Sequence, residues 1–145
     1  MKIPEYITKE EVRRVCNELK LADWSELVDP TVSKDDARVI LNEVNASKMD
    51  IPLEIFQAGL IVELEHGTRF HDANVTNNHP LLTGKIVLAH LKESMDYYIR
   101  LDIAEVEGDM LKYARAGDGA KLLDKYKKLV TARYKLTSRE VTSFQ

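Results

Sequence analysis

Two short stretches of this sequence each place a histidine and a glutamate three residues apart. In the first stretch Glu63 precedes His66, and in the second His90 precedes Glu93. Residues with this spacing share one face of an α-helix, so each pair would point in one direction if its segment is helical. Imidazole nitrogens and carboxylate oxygens bind each other and also bind metal ions. The four side chains are therefore candidates for a polar network or a metal site.

Three interpretations of this cluster stay open, and a structural network is the one we favour. In a network the His and Glu side chains bond to each other, with the hydroxyl of Tyr97 or Tyr98 and loop amides closing the set, because an isolated buried charge is unfavourable. A metal site would use Glu63, His66, His90 and Glu93 to hold a divalent zinc, iron or manganese ion. A metal-free acid–base site is the third interpretation. We expect no cofactor if the network is correct.

The apolar pattern around the two pairs predicts the helices that would bring them together. One helix is predicted to begin at Pro52 and end at Gly67, and a longer one to run from residues 78–80 to about Gly108. Antiparallel packing of this central pair would place Glu63 and His66 near His90. The stripes predicted to face the core are Phe56, Gly59, Leu60, Glu63 and His66 on the first helix and Ile86, His90, Glu93, Tyr97, Leu101 and Ala104 on the second.

The rest of the chain also follows a helical pattern. Thr8 is predicted to cap a helix ending near Lys20, and Ser33 to cap another ending near Ser47. A short segment is expected at 109–116, then a break at 117–119 and a helix over about 120–136. Thr137 and Glu140 are expected to cap a last turn. The polar loop 68–79 is expected to carry function or an interaction, with His71 and His79 solvated.

These elements predict an all-α fold, a small irregular bundle of about five to six helices with an antiparallel central pair. A length of 145 residues suits a single helical domain over 1–145. We divide this domain into N-terminal helices at 1–50, a core helix pair at 51–108 and C-terminal helices at 109–145.

Composition excludes several classes of function. A net charge of −3 argues against nucleic acid as the main partner, because neutralising phosphates needs a basic excess. The single cysteine, Cys16, excludes an internal disulfide, and no apolar run is long enough for a membrane span. The start of the chain lacks the apolar region of a signal peptide. We expect a cytoplasmic or virion-associated protein.

No phosphate-binding glycine loop, nucleophile elbow, paired-cysteine zinc motif or dinucleotide fingerprint occurs in the sequence. Each of these motifs marks a common class of enzyme. Their absence favours a role without catalysis.

The region around the His/Glu pairs also resembles a known family. The order of residues 59–68, 74–77, 82–86, 89–93 and 96–101 is similar to a domain of unknown function catalogued as DUF5661. One departure is Ser94-Met95, where that family usually has an apolar residue followed by proline. The resemblance implies occurrence in bacteria, tailed phages and large DNA viruses, and it implies no established activity.

We therefore expect a helical interaction module, acting as a minor virion or capsid-associated structural or accessory protein with a structural His/Glu cluster. Its partners would be virion or capsid proteins or a second copy of itself, and neither nucleic acid nor a membrane. The alternative is a small metal-binding protein or metalloenzyme that uses Glu63, His66, His90 and Glu93.

Overall fold

The computed structural model describes residues 6–144, so residues 1–5 and 145 of the predicted domain lie outside the described part. The chain divides into two compact units, Met1–Met95 and Asp96–Gln145. Whether the chain acts as a single domain stays a prediction. The α-helices are α1 (Lys9–Leu19), α2 (Lys34–Val44), α3 (Leu53–Arg69), α4 (Pro80–Glu93), α5 (Tyr97–Ala116) and α6 (Gly119–Ser143).

Residues 6–144 contain no β-strand, and short 3₁₀-helices at Trp24–Glu26 and His71–Ala73 complete the helical elements. The predicted all-α fold is confirmed. Among the described helices, none is both long enough and apolar enough to span a membrane.

The first two helices begin where their capping residues predict. The Thr8 hydroxyl accepts a hydrogen bond from the Glu11 backbone N–H at 3.2 Å, and the Ser33 hydroxyl accepts one from the Asp36 N–H at 3.0 Å. Each bond satisfies an N–H that has no partner inside its helix. Helix α1 ends at Leu19, and Lys20 then takes a left-handed φ of 56°.

The core of the first unit forms where α2, α3 and α4 pack against one another. Ile40, Phe56, Leu60 and Val87 are fully buried there. Gly84 permits the close approach of α2 to α4, since a Cβ at this position would lie 2.6 Å from the Ile40 Cγ2. Helices α3 and α4 form the predicted central pair. The packing of the first unit therefore depends on a glycine in the middle of a helix.

Trp24 and Cys16 form a second buried contact in the first unit. Trp24 is fully buried, and its backbone N–H donates to the Cys16 sulfur at 3.5 Å. Burial raises the pKa of the Cys16 thiol, because a thiolate is poorly solvated away from water. Both residues are therefore core side chains.

Helix α3 does not end at Gly67, so that prediction was wrong. The helix continues to Arg69, and Gly67 is a buried helical residue. Its buried face consists of Phe56, Gly59, Leu60, Leu64 and Gly67. In the second half of α3 the buried face follows Leu64 and Gly67, and His66 lies outside this face and is exposed. The predicted stripe was correct in the first half of the helix and shifted in the second.

The predicted long helix is two helices. Helix α4 ends at Glu93, and Ser94 adopts an extended conformation with φ −155° and ψ 128°. A new helix, α5, begins at Tyr97. The buried face of α4 comprises Pro80, Thr83, Gly84, Val87, Leu88 and Leu91. The predicted inward stripe was wrong on α4, because its phase was taken partly from residues beyond the break.

The second unit contains a hairpin of α5 and α6, joined by Gly117 and Asp118. Gly117 ends α5 with a left-handed φ of 69°, which confirms the predicted break. The Asp118 carboxylate accepts from the Lys121 N–H at 3.1 Å and caps α6. Residues 109–116 belong to α5, and α6 continues without interruption past Thr137. The separate segment and the last cap were therefore wrong predictions.

Candidate functional site

The structure brings one predicted His/Glu pair together across two helices. The His90 Nε2 lies 3.6 Å from the Glu63 Oε1, and the two side chains are 31% and 16% exposed. His66 and Glu93, the other two candidates, are exposed. The pair joins α3 to α4 and is partly exposed to water. The two groups are close enough to form an ion pair in the state in which His90 carries a proton.

The described part of the chain, residues 6–144, contains no group of three or more His, Cys, Asp or Glu side chains arranged to hold a metal ion. Tyr97 begins α5 in the second unit and stacks edge-on against Tyr98, with ring centres 5.2 Å apart. Both the metal site and the network with Tyr97 stay predictions.

The loop between α3 and α4 carries a compact set of buried or half-buried amides. The Asn74 Nδ2 donates to the Gly67 carbonyl at 3.2 Å and to the Asn78 Oδ1 at 2.9 Å. Gly67 is required here, because a Cβ would overlap the Asn78 Oδ1. Asn77 and Asn78 both adopt left-handed backbone conformations, which asparagine tolerates better than most residues. These asparagines therefore stabilise the turns of the loop.

The same loop also contacts the segment that precedes α1. The Asn77 Nδ2 donates to the Ile7 carbonyl at 2.6 Å. This bond joins segments that are 70 residues apart in the sequence. The amides of the loop are therefore used inside the first unit, where they hold the backbone in place.

His79 is buried and caps α4, so the prediction that it is solvated was wrong. Its Nδ1 accepts from the backbone N–H groups of Leu81 and Leu82 at 3.2 and 3.4 Å. An accepting Nδ1 must be unprotonated. Burial lowers the pKa of His79, and nearby Arg14 acts in the same direction, whereas Glu11 opposes both. The neutral imidazole is the form that this helix start uses.

The second unit exposes a row of apolar side chains along one face of α6, which the sequence analysis missed. Tyr134 is 76% exposed and Phe144 is 90% exposed. We name this surface the α6 stripe. It comprises Leu123, Tyr126, Val130, Tyr134, Val141 and Phe144.

The spacing of the α6 stripe was a signal available in the sequence. Leu123, Tyr126 and Val130 recur eleven residues later as Tyr134, Thr137 and Val141. An 11-residue repeat advances by almost whole turns of an α-helix, so these positions share one face along the helix. The pattern was hidden because the predicted helix ended near residue 136.

The inner face of α6 is separate from the stripe and is occupied by α5. Leu129 and Ala132 are the buried residues of α6. Ion pairs border this face, with the Lys125 Nζ 2.6 Å from the Asp109 Oδ2. The hydrogen bond from Lys125 to Asp109 also raises the pKa of Lys125. The stripe is therefore additional to the surface that holds the hairpin together.

Comparison with known proteins gives one match. The chain matches the family described as protein of unknown function (DUF5661) over residues 12–107, about two thirds of its length. It belongs to that family. No curated protein and no solved structure matches the chain. The family region includes the Glu63–His90 pair and the amide loop, and it ends inside α5. The α6 stripe lies wholly beyond the matched region.

Proposed function

We propose that this protein is a helical interaction module whose α6 stripe binds another protein, and that it serves as a minor virion or capsid-associated component. The exposure of the stripe is the observation that supports this proposal. Contiguous apolar surface exposed to water is unfavourable, and patches of several hundred Å² mark interaction sites. The proposal places the protein in the cytoplasm or in a virion.

Polar residues border the α6 stripe, as they do in protein interfaces. Thr131 and Ser138 lie beside its apolar positions on the helix and are exposed. A typical interface has an apolar centre and a polar rim. The three aromatic side chains of the stripe also suit binding, since tyrosine and other aromatics are enriched at interface centres.

Incorporation into particles tests the proposed function. We expect particles purified from an infected host to contain the protein, and Leu123→Glu to reduce its incorporation at least about tenfold. The matched control is Leu111→Glu on α5, since Leu111 and Leu123 are both 54% exposed. This control should be incorporated normally. Particles that lack the wild-type protein would contradict the virion role, and equal loss in both variants would contradict the role of the stripe.

The second candidate function is metal binding, and the approach of His90 to Glu63 is the observation that favours it. The His90 Nε2 and the Glu63 Oε1 belong to neighbouring helices and lie 3.6 Å apart. This distance is close to the spacing of two atoms that bind the same ion. His66 and Glu93 would have to complete the site, because four ligands are usual for a closed zinc site. Thermal melts with and without chelator test this alternative.

A further inference from the structure

We propose that the partner of the α6 stripe is a second copy of this chain, bound with its α6 antiparallel to the first. This inference rests on the proposed function, because it assigns a partner to the same surface. Two hairpins joined in this way form a four-helix assembly with a two-fold axis between the two α6 helices.

The spacing of the stripe is self-complementary. In an antiparallel pair with its axis near Ala132, Leu123 of one copy lies opposite Val141 of the other, and Val130 lies opposite Tyr134. Every apolar position then meets an apolar or hydroxyl position. A two-fold interface requires that a surface match itself, and this stripe meets that requirement.

The hairpin buries little apolar surface by itself. Among its described residues, the buried apolar side chains are Tyr98, Val106, Leu129 and Ala132. Helical segments of this size usually need a partner, a disulfide or a metal to form an adequate core. The only cysteine is Cys16 in the first unit, so no disulfide serves the second. A second hairpin provides the missing apolar contact.

The area of the stripe suits a dimer of this kind. An aromatic side chain buries roughly 150–250 Å², so the three exposed aromatic and three aliphatic side chains offer on the order of 600 Å² per copy. A symmetric pair would bury about 1,200 Å² in total, which is the lower end for stable interfaces. Polar residues at the rim add to this area.

The charges on α6 favour an antiparallel over a parallel orientation of the two copies. The helix has seven basic and two acidic residues, so a parallel pair would place each basic residue beside the same residue of the other copy, where like charges repel. The antiparallel pair offsets these residues and opposes the two helix dipoles. Arg133 lies beside the stripe and already pairs with Glu107 at 2.6 Å.

Sedimentation analysis of the full chain tests the dimer. Over about 1–100 µM we expect the wild type to sediment as a dimer, and Leu123→Glu and Tyr134→Glu each to raise the dissociation constant roughly 30-fold or more. Leu111→Glu should remain dimeric. Far-ultraviolet circular dichroism of each variant confirms that the helices are intact. A monomeric wild type, or dimers unaffected by either stripe variant, would overturn the proposal.

Disulfide trapping tests the antiparallel orientation. Opposed positions can cross-link, so the double variant Leu123→Cys, Val141→Cys should form a covalent dimer under mild oxidation, and the single variant Leu123→Cys should not. Native Cys16 is buried, which limits its reaction. Efficient cross-linking of the single variant would indicate a parallel pair and overturn the antiparallel assignment.

The outcomes separate this inference from the proposed function. If the pure protein is monomeric but Leu123→Glu is lost from particles, the stripe binds a different protein and only the self-association is overturned. A third outcome is a monomeric wild type that sediments with phosphatidylserine vesicles and loses this binding in Leu123→Glu. This result would assign the stripe to a membrane and overturn the self-association. A stripe-dependent dimer that is absent from particles supports the self-association and overturns the virion role.

Discussion

At the start of α4, a single imidazole performs the role that serine or aspartate usually has. His79 accepts hydrogen bonds from two backbone N–H groups while its own side chain is buried. Pro80 follows at the first helical position, where its missing N–H has no consequence. Because the cap needs an unprotonated Nδ1, the stability of this helix start depends on pH.

The first prediction concerns this dependence on pH. The pKa of His79 is lower in the folded protein than in the unfolded chain, so the unfolded chain binds more protons between these two values. The His79 cap therefore contributes fully to the free energy of unfolding above about pH 6.5, the pKa of histidine in the unfolded chain. This contribution is lost as the pH falls through the lower pKa of His79 in the folded protein. We expect the melting temperature to fall between pH 7 and pH 5 more in the wild type than in His79→Asn.

Asparagine is the matched replacement because it is a good helix cap that does not titrate. Thermal melts followed by circular dichroism at several pH values provide the comparison. Equal slopes for the wild type and His79→Asn would show that other groups cause the acid sensitivity.

The second prediction compares two helical glycines. A Cβ at Gly67 would overlap the Asn78 Oδ1, whereas a Cβ at Gly108 would meet nothing within 4 Å. We expect Gly67→Ala to lower the free energy of unfolding by about 1–3 kcal/mol through overpacking and lost amide bonds. Gly108→Ala should raise it by roughly 0.5–1 kcal/mol, since alanine favours a helix. Urea melts measure both values, and a neutral Gly67→Ala would contradict the amide arrangement.

At the scale of the helix, local signals in the sequence predicted where helices begin better than where they end. Thr8 and Ser33 predicted the starts of α1 and α2, because a cap depends on residues that are neighbours in the chain. The break at Ser94 has no glycine or proline in this chain. The resemblance implied a proline at the position of Met95, and a proline there would have predicted the end of a helix, but the apolar periodicity was given more weight.

The error at Ser94 explains why the candidate site was only partly predicted. A helical stripe can be extended along a sequence only while the helix is continuous. Once α4 ends at Glu93, the positions of Tyr97 and Leu101 no longer indicate which face of α4 is buried. His90 is therefore at the rim and Glu93 is exposed. The pairing of His90 with Glu63 follows from α3–α4 packing, which was predicted.

The third prediction tests the turn that joins α5 to α6. Gly117 has a left-handed φ of 69°, which costs an L-residue roughly 1–2 kcal/mol. We expect Gly117→Ala to lower the free energy of unfolding by about that amount in urea melts. Gly119 also lies beside the turn but has neither a positive φ nor a close neighbour, so Gly119→Ala is the matched control. Similar effects at both positions would contradict the geometry of the turn.

At the scale of the whole molecule, metal binding would change the stability of the fold, because an ion that binds only the folded state stabilises it by mass action. The fourth prediction is that chelator leaves the melting temperature unchanged at pH 7 and at pH 5, and that elemental analysis finds no stoichiometric metal. A decrease of several degrees with chelator, absent in the double variant His66→Ala, His90→Ala, would instead support the metalloprotein.

The position of Trp24 makes the two units of the chain separately observable. It is the only tryptophan, it is buried in the first unit, and the described tyrosines of the second unit emit at shorter wavelengths. Tryptophan fluorescence therefore reports the unfolding of the first unit, whereas helical circular dichroism reports both. If α6 is stabilised by a second copy, dilution should shift the dichroism transition while the fluorescence transition stays constant. One wild-type sample then separates the stability of the first unit from that of the hairpin.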